Sequence, residues 1–339
     1  MLHPSPTESL AGLPSVRLPI GKLSCALWTV LLTGVPAWVL AQPQPGEVFR
    51  EYRWTNEGGD AGGSLRVGGR FDYGGGPIEL SHEFDLTHAT GAEVVIEKLL
   101  CHDGTHGLAI SVNGHPWTPL PEAAGIPEHP WQYQHHTYPV VTVPLSQLNA
   151  GKKNQFCLRV DKEHPWNWPQ NLIYGVHFRI YYDAACKPHP AGRLVSPSAG
   201  AKLDTDVMLQ AEASSPDGAV QRVDFVGEFE NVNLEGDGSY RQWHYHYIRS
   251  KLAGHIGTAV AAPWRIKWDT AWVPDQSRAL RLAARITDTT GLTYFTPAVD
   301  GLTLDRGNLS VELCKPYDVP KKWVTRSREH QEKFRIHGD

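Results

Sequence analysis

The sequence predicts an all-β protein, and three observations carry that prediction. Apolar residues recur at alternate positions in short runs, long runs with helical apolar spacing are missing, and the turn-formers Gly (32) and Pro (26) are abundant. At 339 residues the chain has room for two ordinary domains and a tail.

Residues 1–41 read as an export leader. Arg17 and Lys22 precede an apolar run from Cys25 to Leu40, and Val39-Leu40-Ala41 forms a small-residue cleavage pattern. The mature chain is then expected to begin at Gln42 and to be secreted or periplasmic, with no membrane span after cleavage. An uncleaved anchor is the alternative, but the run is short of the ~20 residues a span needs. Cys25 leaves with the leader, so Cys101, Cys157, Cys186 and Cys314 remain. An even number in an oxidising compartment permits two disulfides, with Cys101–Cys157 preferred and free buried thiols the alternative. Losing Arg17, Lys22 and Glu8 moves the formal charge from −4 to −5, which argues against a nucleic-acid partner.

From Glu47 to Asp183 the pattern is strands and turns. Glu51-Tyr52-Arg53-Trp54 precedes a glycine-rich stretch between Gly58 and Gly76, which lacks the Lys-Ser/Thr and following helix of a phosphate loop. Strands are expected over 78–86, 93–100 and 108–112, the last closed by the positive-φ pair Asn113-Gly114. Val140–Leu145 leads into the turn Leu148–Asn154, then Phe156, Leu158 and Val160 share a strand face. Over 173–182, Val176, Phe178 and Ile180 fall on one side, His177, Arg179 and Tyr181 on the other. About eight short strands in roughly 135 residues is a sandwich signature.

The order strand, His102–Thr105, strand with Val112-Asn113-Gly114, aromatic loop, Val143-Pro144-Leu145, Leu148–Asn154 and Phe156-Cys157-Leu158 resembles the galactose-binding-like jelly rolls of exported bacterial polysaccharide-active and cell-surface proteins. The resemblance covers 47–183. It implies a β-sandwich whose loops bind sugars in some members and serve as spacers in others.

Residues 184–192 read as a proline-rich linker. Beyond them come Leu194–Pro197, Val207–Ala211, Asp217-Gly218, Val223–Phe225, Trp268-Asp269-Thr270 and Leu280–Gly291. Leu280, Leu282, Ala284 and Ile286 alternate with Arg281 and Arg285, the period of a strand with one wet face. This set resembles a bacterial immunoglobulin-like domain over 193–305. An insertion at 231–258 exceeds what such a domain needs, and long structured loops are often functional. Residues 306–339 read as a tail.

Candidate chemistry concentrates in loops. Trp131, Tyr133, Trp166 and Trp168 offer aromatic faces for the C–H face of a pyranose, with His135, His136, Asn167 and Gln170 placed to bond its hydroxyls. Packing of these rings into core or rim is the alternative. His102, Asp103 and His106 could form a zinc or copper site with His135 or His136, but a polar turn at Asp103-Gly104 explains the same residues. In Trp243-His244-Tyr245-His246-Tyr247, rings alternate with imidazoles, a strand expected to pack the insertion onto a sandwich or the first domain, or to bind a ligand with Tyr240 and His255. No nucleophile elbow is present, and no cofactor is expected.

The sequence therefore points to an all-β exported protein, a jelly-roll sandwich followed by an immunoglobulin-like one. It is expected to act as a non-catalytic glycan-binding or cell-surface interaction module. A secreted polysaccharide-active or metal-dependent enzyme built on the His cluster, or a structural spacer, is the alternative.

Overall fold

In the computed structural model the described residues are 42–56, 63–68, 76–100, 107–124, 135–160, 171–231, 233–271, 273–306, 309–310 and 337–338. Residues 1–41, Cys101 and Cys314 lie outside them.

The first ten strands are β1 (Val48–Thr55), β2 (Leu65–Val67), β3 (Ile78–Glu83), β4 (Ala89–Leu100), β5 (Leu108–Val112), β6 (Thr118–Pro119), β7 (His135–Thr137), β8 (Val140–Thr142), β9 (Lys153–Val160) and β10 (Asn171–Tyr182). Eight of them wind as two interleaved four-stranded sheets, β1-β10-β4-β8 and β3-β9-β5-β6, with β2 added to β10 and β7 to β4. That interleaving is jelly-roll winding. Even-numbered residues of β1, β4 and β10 (Val48, Tyr52, Val94, Ile96, Val176, Phe178, Ile180) meet Leu80, Leu108, Ile110, Phe156 and Leu158 of the second sheet in one core. Each such side chain contributes roughly 1.5–3 kcal/mol of burial.

The expected turns form. Asn113 and Gly114 take φ of 49° and 76°. The buried Asn154 amide then ties two turns together, accepting from Asn113 Nδ2 and the Asn149 N–H at 2.8 Å each.

The second series is β11 (Ala191–Ser196), β12 (Lys202–Leu203), β13 (Asp206–Ser214), β14 (Val220–Glu230), β15 (Arg241–Trp243), β16 (His246–Ile248), β17 (Lys251–Ala253), β18 (Gly257–Ala259), β19 (Arg265–Asp269), β20 (Leu280–Asp288), β21 (Leu292–Phe295) and β22 (Val299–Leu304). Sheet β11-β13-β19 packs on β18-β14-β20, with β21 and β22 sharing the far edge of β20. Leu209, Val223, Phe225, Trp268, Leu280, Leu282 and Ile286 fill the space between. This is an immunoglobulin-like sandwich, with β12 running parallel to β22. A two-residue ladder, Leu309–Ser310 with His337–Gly338, stands apart. Strand β11 begins at Ala191, so the last residues expected in the linker belong to the sheet.

One strand joins the sandwiches. β21 pairs with β20 on one side and with β1 on the other, matching Val48 to Tyr294 and Arg50 to Leu292. Two sheets thereby become one continuous surface of thirteen strands. One face of that surface supplies both cores, and on the other Trp243 and Tyr245 of the insertion pack over Phe49, Ala283 and Phe295. The wet face expected for β20 is therefore corrected: Arg285 is fully buried. The alternation was real, but its polar face lies against a third layer.

Candidate functional site

Strand register decides where the expected site loops sit. Leu100 pairs with both His135 and Asn171, and Leu108 pairs with Val160. Leu120 N–H bonds Leu108 O at 2.8 Å, and Glu122 accepts the Gly107 N–H at 2.7 Å. The described residues that flank segments 101–106, 125–134 and 161–170 therefore gather at one end of the sandwich. His102, Asp103, His106, Trp131, Tyr133, Trp166, Asn167, Trp168 and Gln170 fall in these segments and lie outside the described residues. His135 is described in its backbone alone, as the first residue of β7. His136 is the one candidate whose side chain is described. It is half-buried, stacks on Tyr138 with ring centroids 5.2 Å apart, and holds Nε2 3.5 Å from Glu97 Oε1.

Beneath that end lies a polar interlayer that the sequence did not reveal. Odd-numbered residues of β1, β4 and β10 (Phe49, Glu51, Arg53; Glu93, Val95, Glu97; His177, Arg179, Tyr181) face the same side as Arg285 of β20. One Glu51 oxygen accepts from Arg179 Nε and Nη2 at 3.1 and 3.0 Å. The other accepts from Arg53 at 2.9 Å, Arg285 at 3.2 Å and the Tyr247 hydroxyl. Glu93 takes the remaining Arg179 nitrogen and the Tyr181 hydroxyl. Burial alone would raise the Glu51 pKa, but Arg285, then Arg179 and Arg53, hold it well below the usual carboxylate range. The guanidinium of Arg285 lies 4.4 Å over the Tyr245 ring, and that of Arg53 4.0 Å over Tyr247.

The cover is the Trp243–Tyr247 string with its neighbours. Trp243, Tyr245 and Tyr247 are all buried, as expected for an insertion packed back onto the fold, but they do not form one strand. A tight bend, Tyr245 N–H to Trp243 O at 2.9 Å, splits β15 from β16 and turns the rings inward. Trp243 and Tyr245 then join Phe49, Val226, Ala283 and Phe295 in a third apolar cluster. The upstream part grips the jelly roll through Tyr138 N–H to Leu234 O (2.9 Å) and Ala124 N–H to Gly236 O (2.6 Å). Gly236 is required there: at φ +75°, a Cβ would come within 3.1 Å of Thr137.

Four imidazoles surround this cover without converging on a metal. His244 spends both nitrogens, on Gly254 O (2.7 Å) and Asn231 Nδ2 (3.1 Å). His255 Nε2 reaches Thr258 Oγ1 at 2.7 Å, whose hydroxyl donates to Asp224 at 2.7 Å. His246 is pushed down to about 4 by burial and then by His136. Among the described residues no three His, Cys, Asp or Glu side chains are grouped to hold a metal ion. Cys157 and Cys186 are free thiols, which leaves the expected Cys101–Cys157 bridge without support among the described residues.

Two hollows meet at Glu235. The inner one, about 20 Å³, is lined by Tyr138, His177, Arg179, Glu235, Tyr245, His246 and Tyr247. It has room for about one water, whose bonds would serve the Tyr138 and Tyr245 hydroxyls and the His177 ring, which have no partner among the described residues. The outer one is a cleft of about 120 Å³ formed by Gln42, Gln44, Glu228, Glu235, Asp237, Ser239, Arg241, Gln242, Trp243 and Arg281. With Gln42 in peptide linkage to Ala41, burial and then Asp237 push Glu235 up to about 8, so it holds a proton at neutral pH and meets the cleft as a hydrogen-bond donor. Glu235 was missed in the sequence because nothing local marks Glu-Gly-Asp as more than a turn.

A family model described as a bacterial Ig domain matches residues 190–290, under a third of the chain, in agreement with the immunoglobulin-like reading. No curated protein matches. Among solved structures, the fibronectin(III)-like modules of Clostridium thermocellum CbhA share 16% identity over 35% of this chain and 100% of theirs, at a TM-score of 0.24. A β-glucuronidase from Ruminococcus gnavus shares 9% identity over 70% of this chain and 37% of its own, at 0.22. A β-1,2-glucanase from Parabacteroides distasonis shares 11% over 77% and 38%, at 0.26. The chain thus spans well under half the length of either enzyme, and at these scores the likenesses carry no argument. None of these comparisons bears on the galactose-binding-like kinship of the first sandwich.

Proposed function

We propose that this chain is an exported, non-catalytic module that binds glycan or a cell-surface partner through one end of its jelly roll. The observation that carries the reading is the register of β4, β5, β7, β9 and β10, which gathers the ends of segments 101–106, 125–134 and 161–170. Those segments hold all four candidate rings and two of the four polar groups suited to a sugar, and loops on a rigid frame are where binding groups concentrate. The ionic interlayer supplies the rigidity, because it fixes the jelly roll against the immunoglobulin-like sandwich. In this reading 47–183 is the binding domain, 193–305 its support with 231–258 as the clamp, and 1–41 the leader that sends it out of the cytoplasm.

A glycan array probed with the mature chain, alongside a Trp131→Ala/Trp166→Ala/Trp168→Ala variant, tests it. Binding by the parent, weakened about tenfold or more in a variant of unchanged Tm, is expected, since stacked rings contribute roughly 1 kcal/mol or more each. A parent that binds no glycan overturns the sugar reading, and a stoichiometric transition metal retained through purification overturns the non-catalytic one. The burial of Trp243, Tyr245 and Tyr247 at the junction favours a second reading, a rigid spacer, which absent glycan binding would leave standing.

A further inference from the structure

With Glu235 ionised, the outer cleft is short of one positive charge. Glu228, Glu235 and Asp237 face Arg241 and Arg281, and both arginines are shared outward, Arg281 with Asp300 at 2.7 Å and Arg241 with Glu230 at 4.0 Å. Glu228 is satisfied by the two arginines, at 3.2 and 2.6 Å. Asp237 Oδ1 caps the Ser239 N–H at 2.8 Å. Glu235 is 9% exposed, and its carboxyl takes a hydrogen bond only from its own backbone N–H among the described residues. A buried carboxyl left so is costly unless a cation or a proton accompanies it.

Gln42 sits in this cleft and is held there tightly. Its side-chain amide imitates a strand: Nε2 donates to Trp243 O at 2.7 Å, and Oε1 accepts the Trp243 N–H at 2.8 Å. Gln44 Nε2 donates to Gln42 O at 2.8 Å. Gln42 is only 9% exposed and lines both hollows that Glu235 lines. It is also the residue that follows the Val39-Leu40-Ala41 cleavage pattern.

We infer that the amino terminus released by cleavage after Ala41 is the missing cation: the α-ammonium of Gln42 pairs with Glu235 and Asp237 and latches the first residue of the mature chain across both sandwiches. Processing then creates a structural contact that the precursor, whose nitrogen is an uncharged amide, does not have. The latch also protects the residue. An N-terminal glutamine cyclises when its α-nitrogen attacks Cδ, the bond from Cδ to Nε2 breaks, and ammonia leaves. In the cleft the ammonium is not nucleophilic and Nε2 is committed to Trp243 O, so Gln42 stays open. The inference rests on export processing of residues 1–41 and is independent of whether the protein binds glycan.

Protein expressed with its leader and recovered from the exported fraction should begin at Gln42, by N-terminal sequencing and intact mass, without the loss of one ammonia. A start at another residue, or a cyclised terminus, overturns the inference. At pH 8 the α-amine of the folded chain should acylate about fourfold more slowly than that of a peptide with the same first residues, as an upward shift of one pKa unit from about 7.7 requires. Equal reactivity overturns it. Retaining Ala41 as an extra first residue should lower Tm by about 2–4 °C, and this loss should vanish when Glu235→Gln is already present. If extension and Glu235→Gln are additive, the ammonium and the carboxyl do not meet.

Discussion

At Glu51 a single carboxylate faces three guanidinium groups, and with Glu93 it supplies two negative charges against the three positive ones of Arg53, Arg179 and Arg285. Removing one partner of a buried ionic set leaves uncompensated charge, which costs far more than the set contributes as a whole. Glu51→Gln is therefore expected to destabilise the fold by about 3–5 kcal/mol, read as a fall in urea midpoint with an unchanged m-value. A loss under about 1 kcal/mol would mean that the guanidinium groups find water instead. His177 makes a second prediction at this scale. Burial, then Arg53, pushes it down to about 3, so the folded state keeps it neutral while the unfolded chain protonates it near 6.5. The unfolded state then binds the extra proton, so stability falls on acidification between pH 6.5 and about 3. In the unprocessed chain Glu235 has the opposite sign, being raised, and stability is lost as pH rises toward 8. The histidine is isolated by comparison with His177→Phe, which keeps the ring against Tyr247 and loses no hydrogen bond to another side chain or the backbone, since neither ring nitrogen has such a partner among the described residues. Below pH 6.5 the parent should lose about 1.4 kcal/mol per pH unit relative to the variant. Parallel pH profiles would refute the assignment.

The elements show what alternation can and cannot reveal. Period two on β10 separated Val176, Phe178 and Ile180 from His177, Arg179 and Tyr181, and the same period on β20 separated Leu282 and Ala284 from Arg281 and Arg285. Side-chain direction is local, so it was legible. What covers a face is not local: the lid over Arg285 comes from residues about forty positions upstream, and charged side chains at alternate positions look the same under a lid as under water. Two signals could have exposed it, opposite charges on the same parity of several strands and a ring-rich string in an overlong connection. The candidate loops were marked by composition, whereas Glu235 acquires its character only from the fold. The β16–β17 hairpin of this lid carries a testable strain. Its two-residue turn places Arg249 and Ser250 at φ of 48° and 63°, positions that favour Asn and Gly. Glu97 holds the turn by accepting the Arg249 N–H at 3.0 Å. Ser250→Gly should stabilise the protein by about 1 kcal/mol and Ser250→Val should destabilise it, both read by thermal denaturation. Equal Tm values for the two variants would show that the turn stores no strain.

The molecule as a whole should behave as one folding unit, because the usual boundary between sandwiches is absent. A typical interdomain contact is polar and separable. Here β1 belongs to both halves through its ladders with β10 and β21, and Phe49 packs with Val226, Ala283 and Phe295 from the other sandwich. Glu51 closes the ionic set only when Arg285 is present. Separating the halves would expose the edge of β1, the apolar cluster around Phe49 and three guanidinium groups at once, and neither half can rebury them alone. Calorimetry of the mature chain should accordingly give a single transition whose calorimetric and van't Hoff enthalpies agree. A fragment ending at residue 189 should bind a hydrophobic dye or aggregate, even though its jelly-roll core is complete. Two resolved transitions, or a fragment that folds with a sharp melt of its own, would show that the shared strand and its polar lid are accessories to two independent domains.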